Sequence, residues 1–127
     1  MSENRQSINR LKFTKAKRLT RREDFTRVYR GNVFVADDCL VLLGAKNECG
    51  ESRIGVSVSR KVGNAVTRNQ WKRLVKEAFR LQQFEIPAGL DLVFRPRKGA
   101  VASFVTVKLS VLKLAKRMGK TLELLKD

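Results

Sequence analysis

The stretch from Arg53 to Arg80, RIGVSVSRKVGNAVTRNQWKRLVKEAFR, constrains this chain more than any other. Arg53–Ser59 alternates, with Ile54, Val56 and Val58 on one side and Gly55, Ser57 and Ser59 on the other, the two-residue period of a half-buried strand. A bend through Arg60-Lys61-Val62-Gly63 leads to Asn64, a side chain suited to capping a helix that runs to about Gln83. In that helix Trp71, Leu74, Val75, Ala78 and Phe79 fall on one arc; Arg68, Asn69, Lys72, Arg73, Lys76 and Arg80 fall on the adjoining one. The unit must bury its apolar arc and turn a cationic one outward. The small, polar face of the strand is expected to be open, either solvated or leaving room for a ligand against the sheet.

The remaining segments fit around this unit as a single domain, expected over 11–127 behind a polar, flexible tail at 1–10. Thr20-Arg21-Arg22-Glu23 reads as a capping box that starts a helix ending near Arg30, with Gly31 in the left-handed position after it. Phe25, Val28 and Tyr29 share one side of that helix. Val33–Ala36 and Cys39–Ala45 are strand-like on either side of Asp37-Asp38. Leu90–Phe94 reads as a buried strand, parallel to a neighbour because a helix precedes it. Ser103 is expected to cap a last helix with Phe104, Val107, Val111, Leu114, Ala115 and Met118 as its apolar stripe, ended by Gly119. The order is αβββαβα: an α/β (α+β) fold, a two-layer sandwich with one four-stranded sheet.

Charge narrows the function. Lys and Arg total 28 against 12 Asp and Glu, a net charge of +16 that calls for an anionic partner, nucleic acid before a membrane surface. The chain has no histidine, so the usual acid–base group near neutral pH is missing, and no Ser or Thr has a His to activate it. A catalytic set is therefore expected to be absent. Cys39 and Cys49 follow no metal-binding spacing and read as reduced thiols of a cytoplasmic protein. Asp37, Asp38 and Asp91 are possible Mg²⁺ ligands, but turn chemistry and a strand start explain them better. There is no apolar run long enough to span a membrane and no apolar core of a secretory signal.

Within the basic unit, Arg60 and Lys61 add cations where the helix opens, and Arg68 with Asn69 sets a forked donor beside an amide, chemistry suited to phosphates, 2′-hydroxyls and base edges. A solvated basic helix is the bland alternative. Phe13, Phe25 and Tyr29 lie among arginines and can stack unpaired bases, although for Phe25 taken alone core packing is the favoured reading. Trp71 reads as core. Arg95, Arg97 and Lys98 either extend the basic surface or form a solvated turn.

These residues carry a family resemblance. RIGVSVSRKVGNAVTRN, followed by KR and EAFR, resembles the signature of the bacterial ribonuclease P protein subunit, and the likeness spans roughly residues 11 to 118. It implies a fold of the ribosomal protein S5 domain 2 type whose βαβ crossover is left-handed, against the general preference. It also implies an activity: removal of the 5′ leader of precursor tRNA, with the active site and most of the Mg²⁺ in the RNA subunit, and one protein per RNA. By the resemblance, Arg60, Lys61, Asn64, Arg68, Asn69, Lys72 and Arg73 contact the catalytic RNA. Phe13, Phe25, Tyr29, Ser57 and Ser59 bind the leader. Gln70 stands where the family has a third Arg, and Leu42 where relatives carry an aromatic on the cleft wall. Three other readings stay open: a structural RNA-binding protein such as a ribosomal component, a membrane-surface protein, and a protein-only nuclease.

Overall fold

The computed structural model describes residues 13–125; the tail expected at 1–10 lies outside them. After a short 3₁₀ turn at Lys15–Lys17, helix α1 spans Arg22–Gly31, strands β1, β2 and β3 span Phe34–Ala36, Leu40–Lys46 and Arg53–Val56, helix α2 spans Ala65–Gln82, strand β4 spans Leu90–Pro96 and helix α3 spans Phe104–Leu124. The sheet order is β1-β2-β4-β3. β1 and β4 pair antiparallel with β2, while β3 lies parallel to β4, to which α2 connects it. The αβββαβα order and the parallel pairing of β4 are those expected from the sequence.

Alternation along the strands assigns the two faces of the sheet. Leu40, Leu42, Ile54, Leu92 and Phe94 join Trp71, Val75 and Phe79 of α2 and Val107, Val111, Leu114 and Met118 of α3 in the main core. Their odd-numbered neighbours Leu43 and Val93 pack instead with Val28 of α1 and Leu19. The sandwich is thus the sheet with α2 and α3, and α1 crosses the other face.

Several boundaries differ from those read in the sequence, each for a local reason. The Leu19 amide donates to the Ile54 carbonyl at 2.8 Å and Arg18 bridges to Ile54, so residues 18–19 run along the free edge of β3. α1 therefore begins only at Arg22, with Arg21 as N-cap and no capping side-chain hydrogen bond, and the Thr20–Glu23 box does not form. Gly31 stays helical, and Asn32 takes the left-handed position at φ 51°, which its short amide tolerates. β2 starts at Leu40 rather than Cys39 because the Asp37 carboxylate accepts the Cys39 and Leu40 amides at 2.9 Å and holds them in the turn. β3 ends at Val56 rather than Ser59. The Ser57 amide still donates to Phe94, but the next rung needs an N–H from Pro96, which has none. α3 runs through Gly119 to Leu124. Gly119 packs rather than stops: a Cβ there would meet Pro87 at 2.9 Å, and Leu122 beyond it is buried.

Candidate nucleic-acid interface

A buried carboxylate fixes α1 to the sheet. Asp91 of β4 is wholly inaccessible, and both its oxygens are engaged. Arg53 of β3 grips it in a fork, Nε to Oδ1 at 2.8 Å and a terminal nitrogen to Oδ2 at 2.7 Å. The Asn47 amide donates to Oδ1 at 2.8 Å, and Arg27 of α1 donates to Oδ2. Arg27 also reaches the Lys46 carbonyl, and Arg53 extends to Asp24 of α1 at 3.4 Å. The hydrogen bond to Asp91 holds the Arg53 guanidinium's pKa above its usual range despite burial. An ion buried this deeply persists only when every lone pair finds a donor. Here those donors tie α1, β3 and the end of β2 to one atom pair. Asp91 is therefore a structural anchor in place of the metal ligand considered from sequence.

The anchor decides which sheet positions α1 covers. Arg27 and Asp24 hold one flank over Arg53 and Asp91, and Val28 packs on Leu43 and Val93. Phe25 sits on Gly55 so closely that a Cβ there would lie 2.5 Å from its ring, a contact only glycine permits. The face of β3 expected to be open is therefore capped by Phe25 at Gly55. Beyond it lies the next row of the sheet, half-buried at Ala36, Val41 and Ser57 and exposed at Arg95, where Ala36, Val41 and Arg95 are register partners and Ser57 follows Val56, the partner of Phe94. Helical periodicity puts Phe25 and Tyr29 on the flank of α1 toward this row, opposite Asp24 and Arg27. Tyr29 is 37% exposed, and Phe34 at the sheet edge, a register partner of Leu43, is 58% exposed.

The five residues expected to bind a leader do not all share this strip. Phe25, Tyr29 and Ser57 border it. Phe13 lies around the edge of β3 against the main core, edge-on to Phe79 at 5.8 Å, with the Arg18 guanidinium 4.8 Å over its ring. Ser59 is in the bend, where its hydroxyl oxygen accepts the Lys61 amide at 3.1 Å. Leu42, expected on a cleft wall, is fully buried between the sheet and the two long helices; its neighbour Leu43 is the residue on the α1 side.

The seven residues expected to contact RNA lie in the bend before α2 and along its first turns. Asn64 caps the helix, its Oδ1 accepting the Thr67 amide at 3.0 Å. Arg60, Lys61, Asn69 and Arg73 are exposed, and Arg68 and Lys72 half-buried. Among the described residues, none of these six side chains donates a hydrogen bond or forms an ion pair, and Arg68 keeps a buried Nε without an acceptor. One turn on, burial and the nearby Arg18 and Lys72 charges lower the Lys76 ammonium's pKa. Cations this crowded, with donors unengaged, favour an incoming polyanion.

The Ribonuclease P family profile matches residues 13–119. The chain belongs to the ribonuclease P protein family. The Ribonuclease P protein component of Clostridioides difficile is 42% identical over 107 residues, covering 83% of this chain and 94% of its own. The solved RNase P protein of Thermotoga maritima superposes with a TM-score of 0.72 at 38% identity over 79% of this chain and 96% of that one. That of Staphylococcus aureus gives 0.71 at 32%, over 81% and 95%. Membership carries the fold and a role in ribonuclease P, a tRNA-processing endoribonuclease.

Sequence reading of this ribonuclease P protein missed Phe34 and the Asp91 cluster, and it took Arg95 as part of a basic surface or a solvated turn without placing it beside Val41 and Ala36. The register that sets Arg95 opposite Val41 joins distant parts of the chain, and the exposure of Phe34 depends on β1 being the edge strand. The cluster joins residues as far apart as Arg27 and Asp91. An Asp inside an otherwise apolar run, LDLVF, was the available signal that a buried partner existed.

Proposed function

We propose that this chain is the protein half of a cytoplasmic ribonucleoprotein, one protein per RNA, that removes the 5′ leader from precursor tRNA. Arg60, Lys61, Asn64, Arg68, Asn69, Lys72 and Arg73 dock the catalytic RNA. Phe25 and Tyr29, with Ser57 and the partly exposed sheet row beside them, hold the single-stranded leader; Phe13 and Ser59 flank that path. The observation that carries the reading is the pairing of two unlike surfaces, a face of unengaged cationic donors and a strip with a partly exposed aromatic wall. Phosphate contacts supply affinity, and base stacking tolerates varied leader sequence. Gripping the leader favours precursor over product, because only the precursor offers that contact.

Three of the described carboxylates are already engaged by other side chains. Asp91 is enclosed by Arg53, Arg27 and Asn47, Asp37 is bound by Ser110 and Lys113, and Glu77 is bound by Arg80. Among the described residues no cluster of three or more His, Cys, Asp or Glu could hold one. In this reading Mg²⁺ is held mainly by the RNA subunit, and this chain's residues bind and orient. The test is reconstitution: adding the protein to ribonuclease P RNA at low Mg²⁺ is expected to restore leader removal. Unchanged cleavage would overturn the reading, and robust cleavage by the RNA-free protein would move the chemistry onto the protein.

A further inference from the structure

α2 has a second flank, turned toward α3, that the docking face does not account for. Val66, Gln70, Arg73 and Glu77 recur there at helical spacing. With Leu74 and with Phe104 at the start of α3, they line an open groove of about 600 Å³. Val66 is 75% exposed, and Val101 and Val105, beside Phe104 in sequence, are exposed as well. Neighbouring exposed apolar side chains mark a contact surface more often than chance solvation.

The polar groups of the groove indicate what it contacts. The Gln70 amide offers a donor and an acceptor, and the Arg73 guanidinium offers forked donors; neither has a hydrogen-bond partner among the described residues. Glu77 is held by Arg80, and that hydrogen bond lowers its pKa, so the only acid in the lining is already neutralised. An aromatic ring beside aliphatic walls, with an amide and a guanidinium at the rim, suits a flat heterocycle whose edge forms hydrogen bonds and whose neighbour is a phosphate. The groove is continuous with the docking face, since Arg73 belongs to both and Gln70 follows Asn69. An acidic protein partner would satisfy Arg73 but leave the apolar walls and the Gln70 amide without a specific use.

We infer that this groove receives an unpaired nucleobase of the RNA that docks on α2, packed against Phe104, Val66 and Leu74 and read at its edge by Gln70. The inference rests on the docking role proposed for α2. It has a signature of its own. A base contact adds affinity without releasing counterions, whereas a phosphate contact adds both affinity and salt dependence.

The experiment measures affinity of the full-length protein for ribonuclease P RNA across a salt series. The variants are Phe104→Ala, Val66→Ser, Gln70→Ala and Arg68→Ala, each checked for native circular dichroism. Val66 and Gln70 are exposed, so their substitutions test the groove even if Phe104→Ala fails to fold. Phe104→Ala is expected to weaken binding about ten-fold, and Val66→Ser and Gln70→Ala by less, all with the salt slope unchanged. Arg68→Ala is expected to reduce the slope by about one. Wild-type affinity in all three groove variants, with Arg68→Ala impaired, would overturn the base site and leave the docking face standing. Wild-type affinity in Arg68→Ala as well would overturn the docking face itself. Self-association of the wild-type protein that Val66→Ser abolishes, with RNA affinity unchanged, would assign the groove to a second copy and also overturn the inference.

Discussion

The two faces of the sheet are held by different forces. On the side of α2 and α3, a continuous cluster that includes Trp71, Phe79, Phe94, Leu114 and Met118 does the work, and it is almost wholly apolar. On the side of α1 the buried apolar cluster among the described residues is small, Leu19, Val28, Leu43 and Val93 with Phe25, Val41 and Ala45 partly buried against it, and the Asp91 network adds a polar hold. Apolar packing is strong and nearly indifferent to direction. A buried ion pair adds little net stability but fixes orientation, and it is costly to break. The difference maps onto the proposed roles: a docking helix on a rigid base, and an aromatic-bearing helix whose placement over the sheet has to be exact to within a side chain's width.

Substitutions on either side separate the two forces. Trp71→Ala is expected to cost about 3–5 kcal/mol in urea denaturation, while the precursor preference of whatever remains folded stays intact. Asp91→Ala leaves Arg53 facing a cavity. It is expected to cost about 3 kcal/mol, less than the core substitution, yet to lower the affinity ratio of precursor to mature tRNA in the reconstituted enzyme. A preserved ratio would show that α1 keeps its place without the anchor. Tyr29→Ala is expected to lower that same ratio by about 1–3 kcal/mol with little change in unfolding free energy, since the ring is partly exposed.

The smallest effect concerns a polar tie on the opposite side. Burial alone would raise the Asp37 carboxyl. Hydrogen bonds from Ser110 and the Leu40 and Cys39 amides, with Lys113, outweigh it and bring the pKa down from 3.8 to about 2. A group with a lowered folded pKa stabilises above its unfolded value and loses that contribution as pH falls through the folded one. Asp37→Asn is therefore expected to cost on the order of 1–2 kcal/mol at pH 7. The gap to the unsubstituted protein should close between about pH 4 and pH 2; a constant gap would contradict the assignment.

What could be read from sequence divides along the same line. Periodicity displayed the α2 and α3 stripes and the four strands, because apolar burial leaves a repeating mark along the chain. It placed Arg68, Asn69, Lys72 and Arg73 together because all four lie on one helix. It could not place Phe13, which resembles Phe25 in sequence context but packs around the edge of β3 on Phe79. Nor could it show that Phe25 closes over Gly55, since that contact depends on where α1 lands. Helix ends were misread where a tertiary contact overrode a local signal, as at Thr20 beside the Leu19–Ile54 hydrogen bond and at Gly119 against Pro87.

In the proposed function α1 and α2 serve separable tasks. The most direct measurement compares the affinities of precursor and mature tRNA for enzyme reconstituted with Tyr29→Ala or Arg68→Ala protein. Tyr29→Ala is expected to lower the precursor-to-mature ratio without altering the protein concentration needed for assembly. Arg68→Ala should raise that concentration and, at saturating protein, leave the ratio unchanged. Equal loss for both tRNAs with Tyr29→Ala, or a ratio shifted by Arg68→Ala at saturation, would contradict that separation.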